Sequence, residues 1–544
     1  MILFKRRYTS SFVEKSYRKK LSAIFDSQET EKVKIEKLHQ QFPKAFSDVS
    51  FLLQTAKCYD SEKNHKEAIK WYLKAATNNN TQAQLTLGLH YSEGKGCVRN
   101  NGEAMKWYHA AAEQGLAEAQ FLLGECYSLG LGTYFNPDES RKWYLKAAEQ
   151  DHIKAQYKLG EYYFGVRHGF TVEKVKQDFI QAVYWYRKAA EKGHLESQFN
   201  LALIYNLGTP DGKIKRDDIE SVKWLQKAAE QGLAEAQNSL ANFYRLGKGV
   251  KQDFAKAFDL YCKAAKQRHA WGQCNVGYCY SQGIGVKQDY VEAVKWYRKA
   301  ADQEHAQAQN ELGLCYYTGQ GVQQDYVEAV KWFRKSAEQG FSDAQYHLGK
   351  CYEDGFGVKQ NDAEAVKWFR KSAEQGDADA QVCLGGWYYN GREVEQDYAQ
   401  AVQWFRLAAE QGHVIAQNNL GYCYAEGRGI KQDYCEAVKW YRKTAEQGDA
   451  FAQCQLAECY ENGKGVKQDY VEAVKWYRKA AEQGDARSQR MLGNCYRDGH
   501  GVKKDTAEAI RWYRKAANQG NEKAKAAIKA LTKDKNLMQG GASK

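Results

Sequence analysis

Five histidines, His152, His194, His269, His305 and His413, recur at one position of a repeating pattern, and eight of the fourteen cysteines, Cys58, Cys126, Cys279, Cys315, Cys351, Cys423, Cys459 and Cys495, recur at another. Imidazoles and thiols in register could ligate metal ions or form disulfides. One imidazole per repeat gives each ion too few ligands, whereas a histidine just past the end of a helix is stabilised by the helix dipole. The histidines are therefore assigned to helix C-termini, and no metal is expected. Thiols at equivalent positions of successive helices, ~8–10 Å apart axis to axis, are too distant to bridge. They read as small buried side chains in a reducing compartment, with Cys423 and Cys435 the one pair that could still join. Paired carboxylates are frequent but belong to solvated faces. Turns such as Gly283–Gly285 lack the preceding strand and full glycine fingerprint of a phosphate loop, and the sequence has no zinc-protease helix, Walker loop or nucleophile elbow. The expectation is a non-enzymatic chain with no catalytic, cofactor-binding or metal-ligating residues and no cofactor.

The elements that carry these residues follow from a repeat. Trp71, Trp107, Trp143, Trp185, Trp224, Leu260 as a stand-in, Trp296, Trp332, Trp368, Trp404, Trp440, Trp476 and Trp512 are spaced by 36 residues in ten of twelve intervals. The stretch GVKQDYVEAVKWYRKAA occurs twice, at 285–301 and 465–481. Such a period predicts stacked units, none of which buries its own apolar face. Each unit parses into two helices. The second opens at Asp289 with Glu292 three residues on, which predicts a capping box; Asp or Asn holds that cap in all thirteen units, and Glu or Gln holds the later position in all but one, where Lys256 stands. Ala293, Trp296, Tyr297 and Ala300 form its apolar stripe. Nine units place glycine, from Gly115 to Gly520, just after this helix, where a left-handed backbone is required.

The pattern carried by Leu312, Gly313, Tyr316, Gly319, Gly321, Val322, Asp325, Ala329, Trp332 and Gly340 resembles the Sel1-like repeat, which is related to the tetratricopeptide repeat. The resemblance implies an all-α fold, a right-handed αα-superhelical solenoid of about thirteen Sel1-like helix hairpins. It covers residues 51–520, with a first unit more like a tetratricopeptide repeat. Residues 1–50 are then a basic helical N-terminal cap or extension, and 521–544 a C-terminal capping helix with a basic tail. Cysteine-rich bacterial members of the family join two cysteines per repeat; here the second is mostly missing.

Composition narrows the function. With 43% hydrophobic and 13% aromatic residues, three prolines and no apolar run near the ~20 residues of a membrane span, the chain reads as folded over most of its length and not membrane-spanning. Its start, MILFKRRYTSSFVEK, lacks the apolar run of a secretory signal, so the cytoplasm is expected, with secretion by another route or organellar targeting left open. Of the net charge of +13, residues 1–20 supply +6 and residues 521–544 supply +4, so the body is not a phosphate track and no nucleic-acid partner is expected there. Residues 1–25 could be a weak membrane-surface anchor, a targeting peptide or a cap helix.

Because the second helices are nearly invariant, variation in the first helix is expected to carry function. Helical geometry predicts that Leu85, Leu89, Phe121, Leu122, Tyr157, Lys158, Phe199, Asn200, Leu203, Asn238 and Asn242 project away from the core, and by analogy with related solenoids they line a concave groove. The groove is apolar up to Leu203 and amide-rich beyond Asn238, through Asn310, Asn418 and Asn419. Six added residues before Trp185 and three before Trp224 either serve binding or adjust superhelical pitch. The expected function is a monomeric scaffold or adaptor that takes a protein or peptide in the groove. The alternatives are a bacterial host-interaction effector or membrane-associated regulator, and a cell-wall or β-lactam-related hydrolase, which lacks any nucleophile, base and oxyanion set.

Overall fold

The computed structural model describes residues 23–24, 27, 29, 31–41, 49–165 and 177–540. The basic amino-terminal residues 1–22, residues 166–176 of the connection that carries the six-residue insertion, and the last four residues lie outside them. Among the described residues every regular element is an α-helix. The chain divides into two compact units, Met1–Gln267 and Arg268–Lys544.

In the first unit a short helix, Glu31–Gln41, precedes six hairpins, each a first helix followed by a second. They are Val49–Ser61 with His65–Thr77, Thr81–Glu93 with Asn101–Glu113, Ala117–Leu129 with Pro137–Glu149, Ile153–Phe164 with Phe179–Glu191, Leu195–Leu207 with Asp218–Glu230, and Ala234–Leu246 with Phe254–Lys266. The second unit has seven: Ala270–Gln282 with Tyr290–Ala301, Ala306–Thr318 with Tyr326–Glu338, Ser342–Asp354 with Asp362–Glu374, Ala378–Asn390 with Tyr398–Glu410, Val414–Glu426 with Tyr434–Glu446, Ala450–Asn462 with Tyr470–Glu482, and Ala486–Asp498 with Thr506–Asn518. The helix Glu522–Gly540 follows the last hairpin and packs on it through Ala524, Ile528 and Leu531. Each unit is thus an all-α solenoid of stacked hairpins.

Sequence sets the helix ends as expected, with one change. All thirteen second helices begin at an Asn or Asp whose side chain accepts a backbone N–H of the first turn; Asp289 takes those of Val291 and Glu292 at 2.9 and 3.0 Å. The reciprocal half of the capping box does not form. The Asp289 N–H donates instead to the Tyr280 carbonyl at 2.9 Å, so Glu292 is free to pair with Lys295 at 2.5 Å. The first helix, running antiparallel, presents that carbonyl before the glutamate can reach back.

Glycine has two separate duties. Gly340, Gly376, Gly412 and their equivalents end second helices at positive φ. At the second glycine of the interhelix turn the constraint is tighter: a Cβ on Gly321 would lie 2.2 Å from the Tyr290 carbonyl oxygen of the preceding hairpin. There the backbones of consecutive hairpins touch.

Tryptophan ties the same layers together. Trp332 is buried in the cluster of Tyr297, Ala300, Leu312 and Cys315, which belong partly to the preceding hairpin. Trp143, Trp185 and Trp512 join their preceding neighbours in the same way. A buried amide relay adds direction. Gln345 Nε2 donates to the Ala337 carbonyl at 3.1 Å, while its Oε1 accepts from Gln375 Nε2 at 2.7 Å, and the arrangement recurs at Gln84, Gln120, Gln309 and Gln453. Buried amides kept in hydrogen bonds avoid the ~1–3 kcal/mol cost of an unsatisfied group.

Candidate functional site

Reactive side chains are mostly committed to structure. All fourteen cysteines are free thiols; Cys423 is buried and Cys435 exposed. Burial pushes the Cys126, Cys423 and Cys459 thiols up to about 11, and Cys315, Cys351 and Cys495 up to about 12, so none of these is a thiolate near neutrality.

The histidine reading is corrected. His152, His194, His269, His305 and His413 do not act at the C-terminus of the helix they follow; each is the N-cap of the helix that comes next. Their Nδ1 atoms accept the backbone N–H of the residue three positions on, at 3.2, 3.3, 3.1, 3.2 and 3.4 Å. Three other hairpins place Asp377, Asp449 and Asp485 at this position in the same role, and Asn80 does so too. An accepting Nδ1 must be unprotonated, and burial accordingly holds His194 and His305 below the ordinary histidine value.

A folded-state pKa depressed below the unfolded value means that the folded chain binds fewer protons. This contribution to stability is fully present above ~6.5 and is lost as pH falls through the folded value. The melting temperature is therefore expected to drop between pH 7.5 and 5. His305→Asn, which caps without titrating, should lessen the drop by a cap's share of about 1 kcal/mol. An unchanged pH profile in that variant would refute the assignment.

The expected groove residues separate into two groups. Leu85, Phe121 and Asn238 are buried, which corrects the expectation that they stand clear of the core. Phe121 stacks on His152 at 4.8 Å and joins the cluster of Tyr144 and Leu159. Tyr144 of its own hairpin and His152 at the N-cap of the next first helix close over this position. Leu89, Leu122, Tyr157, Lys158, Phe199, Asn200, Leu203 and Asn242 are half-buried. Of these, Tyr157 packs on His194 at 4.7 Å and donates to Glu161 at 2.8 Å, and Lys158 pairs with Glu161 at 2.9 Å.

The amides are less available than their type suggests. Asn242 accepts from the Tyr261 hydroxyl at 2.5 Å, Asn310 meets His347 Nδ1 at 3.0 Å, and Asn418 bonds Asp449 and Thr444 at 3.0 and 2.8 Å. Asn310 and, through Asp449, Asn418 fasten one layer to the next, whereas Asn242 joins the two helices of its own hairpin. Among the side chains that the first-helix face leaves partly open are the apolar Leu89, Leu122 and Leu203 in the first unit and Leu314 and Tyr422 in the second, beside polar ones such as Lys158, Asn200 and Asn419.

Charged groups on the first helices also bridge layers. In the second unit Glu353 accepts from Trp387 Nε1 at 3.2 Å and pairs with Lys350 at 2.6 Å and Arg392 at 3.2 Å, while Arg392 also grips Asp362 at 2.9 and 3.0 Å. Lys350 also lies 3.5 Å from Asp354, so the carboxylates of this cluster are held in ion pairs, which suits a structural strut.

Stacked αα-hairpins with a repeating Gly–Tyr–Gly–Asp–Trp register define an all-α repeat solenoid. The chain belongs to the Sel1 repeat family, whose model matches thirteen consecutive segments: residues 56–80, 81–116, 117–152, 153–194, 195–233, 234–269, 272–305, 306–341, 342–377, 378–413, 414–449, 450–485 and 486–521. Among solved structures it is similar to a protective antigen present in uropathogenic Escherichia coli strains that displays the same repeat fold, with 39% identity, 80% of this chain and 92% of that one covered, and a TM-score of 0.60. It is also similar to a Sel1 repeat protein from Oxalobacter formigenes, with 34% identity, 57% and 89% covered, and a TM-score of 0.42. No curated protein matches the chain. No helix among the described residues is long and apolar enough to cross a membrane.

Proposed function

We propose that the protein is a non-enzymatic scaffold that binds a segment of a protein partner along the first-helix face of its solenoid. One observation carries this reading: the second helices repeat almost unchanged, whereas the half-buried first-helix positions change from hairpin to hairpin and hold apolar side chains only partly covered by their own unit. Leu89, Leu122 and Leu203, with Phe199 and Tyr157 between layers, offer burial to an extended segment or a helix. The committed thiols, imidazoles and ion pairs of the preceding section favour a binding role over catalysis.

The test uses the leucines rather than the aromatic side chains, because Phe121 belongs to the core. Leu89→Ala, Leu122→Ala and Leu203→Ala together should weaken binding of a partner identified by cross-linking by about 2 kcal/mol or more, with helicity unchanged. Wild-type affinity in the folded triple variant would place the site elsewhere. A host-directed role is a second reading, favoured by the 39% identity to a protein described as a protective antigen.

A further inference from the structure

The first two hairpins contain a side-chain cluster that the repeat pattern does not predict. Asp60 lies in the last turn of the first helix of hairpin one, His65 begins its second helix, and His90 lies on the first helix of hairpin two. One ligating atom from each falls within 4.8 Å of the others. His65 Nδ1 is 2.6 Å from Asp60 Oδ1, and His90 Nε2 is 3.3 Å from both carboxylate oxygens.

Local departures from the repeat bring them together. The first hairpin's turn is four residues shorter than that of most others, so His65 follows Asp60 closely. Gly96 of the next turn packs against the His65 backbone, where a Cβ would come within 2.5 Å. His90 occupies the position that carries cysteine in eight other units.

The orientation of His90 is the informative feature. Its Nδ1 faces the Lys95 carbonyl at 3.1 Å, and a carbonyl only accepts, so Nδ1 carries a proton. In a neutral ring Nε2 is then a bare lone pair, buried and aimed at a carboxylate. A second imidazole nitrogen faces the same carboxylate. His65 Nδ1, 2.6 Å from Asp60 Oδ1, satisfies that oxygen as an N–H donor in one neutral tautomer, whereas the His90 Nε2 lone pair facing the carboxylate is reconciled only by a proton or by a metal cation between them. A backbone carbonyl on the far nitrogen of a ligating histidine is the usual device for fixing its tautomer, and the Tyr72 hydroxyl, 3.4 Å from Asp60 Oδ2, adds a second outer contact.

We propose that Asp60, His65 and His90 bind one divalent transition-metal ion, zinc being the ion best suited to two imidazoles and a carboxylate, and that it ties hairpin one to hairpin two. The His65 and Asp60 side chains keep 32% and 28% of their exposure, so a fourth position is open to water.

The test is calorimetric titration of the full chain, stripped with chelator, using Zn²⁺, with Co²⁺ as a spectroscopic substitute. Wild type should take up one equivalent at this site, and Co²⁺ should give ligand-field bands without thiolate charge transfer. Asp60→Asn, nearly isosteric, and His65→Ala, partly exposed, should each weaken zinc binding at least about tenfold with helicity retained, whereas exposed His109→Ala should not. Three outcomes overturn the proposal: no zinc uptake by the folded wild type, which leaves a protonated ion pair only; equal affinity in wild type and both variants; or a thiolate band, which moves the ion to a cysteine.

Discussion

Gly357→Ala is expected to destabilise the second unit by on the order of 3 kcal/mol or more, and Gly376→Ala by only about 1 kcal/mol. Both glycines have positive φ, +69° and +98°, so both variants carry left-handed strain. They differ in what surrounds them. A Cβ on Gly357 would lie 2.1 Å from the Tyr326 carbonyl oxygen and 2.3 Å from its carbon, whereas a Cβ on Gly376 meets nothing within 4 Å. Backbone cannot rotate aside as a side chain can, so the first substitution must push two hairpins apart. Hairpins contact only their neighbours, so the loss should appear locally, as faster amide exchange across residues 306–377. Equal losses in the two variants would show that conformational strain alone, and not the approach of the layers, fixes the turn glycine.

The register of the solenoid was legible because its signals are local and recur thirteen times. An Asp or Asn before a helix and a glycine after it act within one turn, so the caps from Asn64 to Asp505 and the left-handed positions from Gly115 to Gly520 could be read directly. Even where glycine is missing, at Asn79, Asp151, Arg268 and Glu304, the backbone keeps positive φ. The errors arose where a residue serves two elements. His305 follows one helix and caps the next, and only the shared column of His305 with Asp377, Asp449 and Asp485 carries the signal. Glu292 has the right type for a capping box, but a tyrosine carbonyl from another helix takes the amide first.

The candidate face was misjudged for a related reason. A helical wheel separates core from surface for one helix against one partner, whereas side chains of several first helices here also meet the first helix, or its N-cap residue, of the next hairpin. Phe121 points away from its own apolar stripe and is still buried, because His152 of the next hairpin covers it. Asn310, which meets His347, and Asn418, which donates to Asp449, show the same effect in polar form. Asp60, His65 and His90 escaped notice because they come from three segments and share no column of the repeat.

Trp332→Ala is expected to cost about 3 to 5 kcal/mol, the range for removing a large buried aromatic side chain. The ring is 6% exposed and fills space between its own hairpin and the preceding one, against Tyr297, Ala300, Leu312 and Cys315. Its removal leaves a cavity shared by two layers, and neither layer can collapse into it without breaking the backbone approach at Gly321. The indole N–H contributes little, since Trp332 Nε1 is buried without a hydrogen-bond partner. Lys335 lies over the ring, 4.4 Å from its centroid, and adds roughly 0.5–1 kcal/mol at such an exposed rim. Trp332→Phe therefore isolates the volume term: it removes an unsatisfied donor along with part of the ring and should cost less than half as much as the alanine. Chemical denaturation of the two variants distinguishes the accounts. A phenylalanine as damaging as the alanine would mean that the indole nitrogen, and not the filling of the layer interface, holds this position.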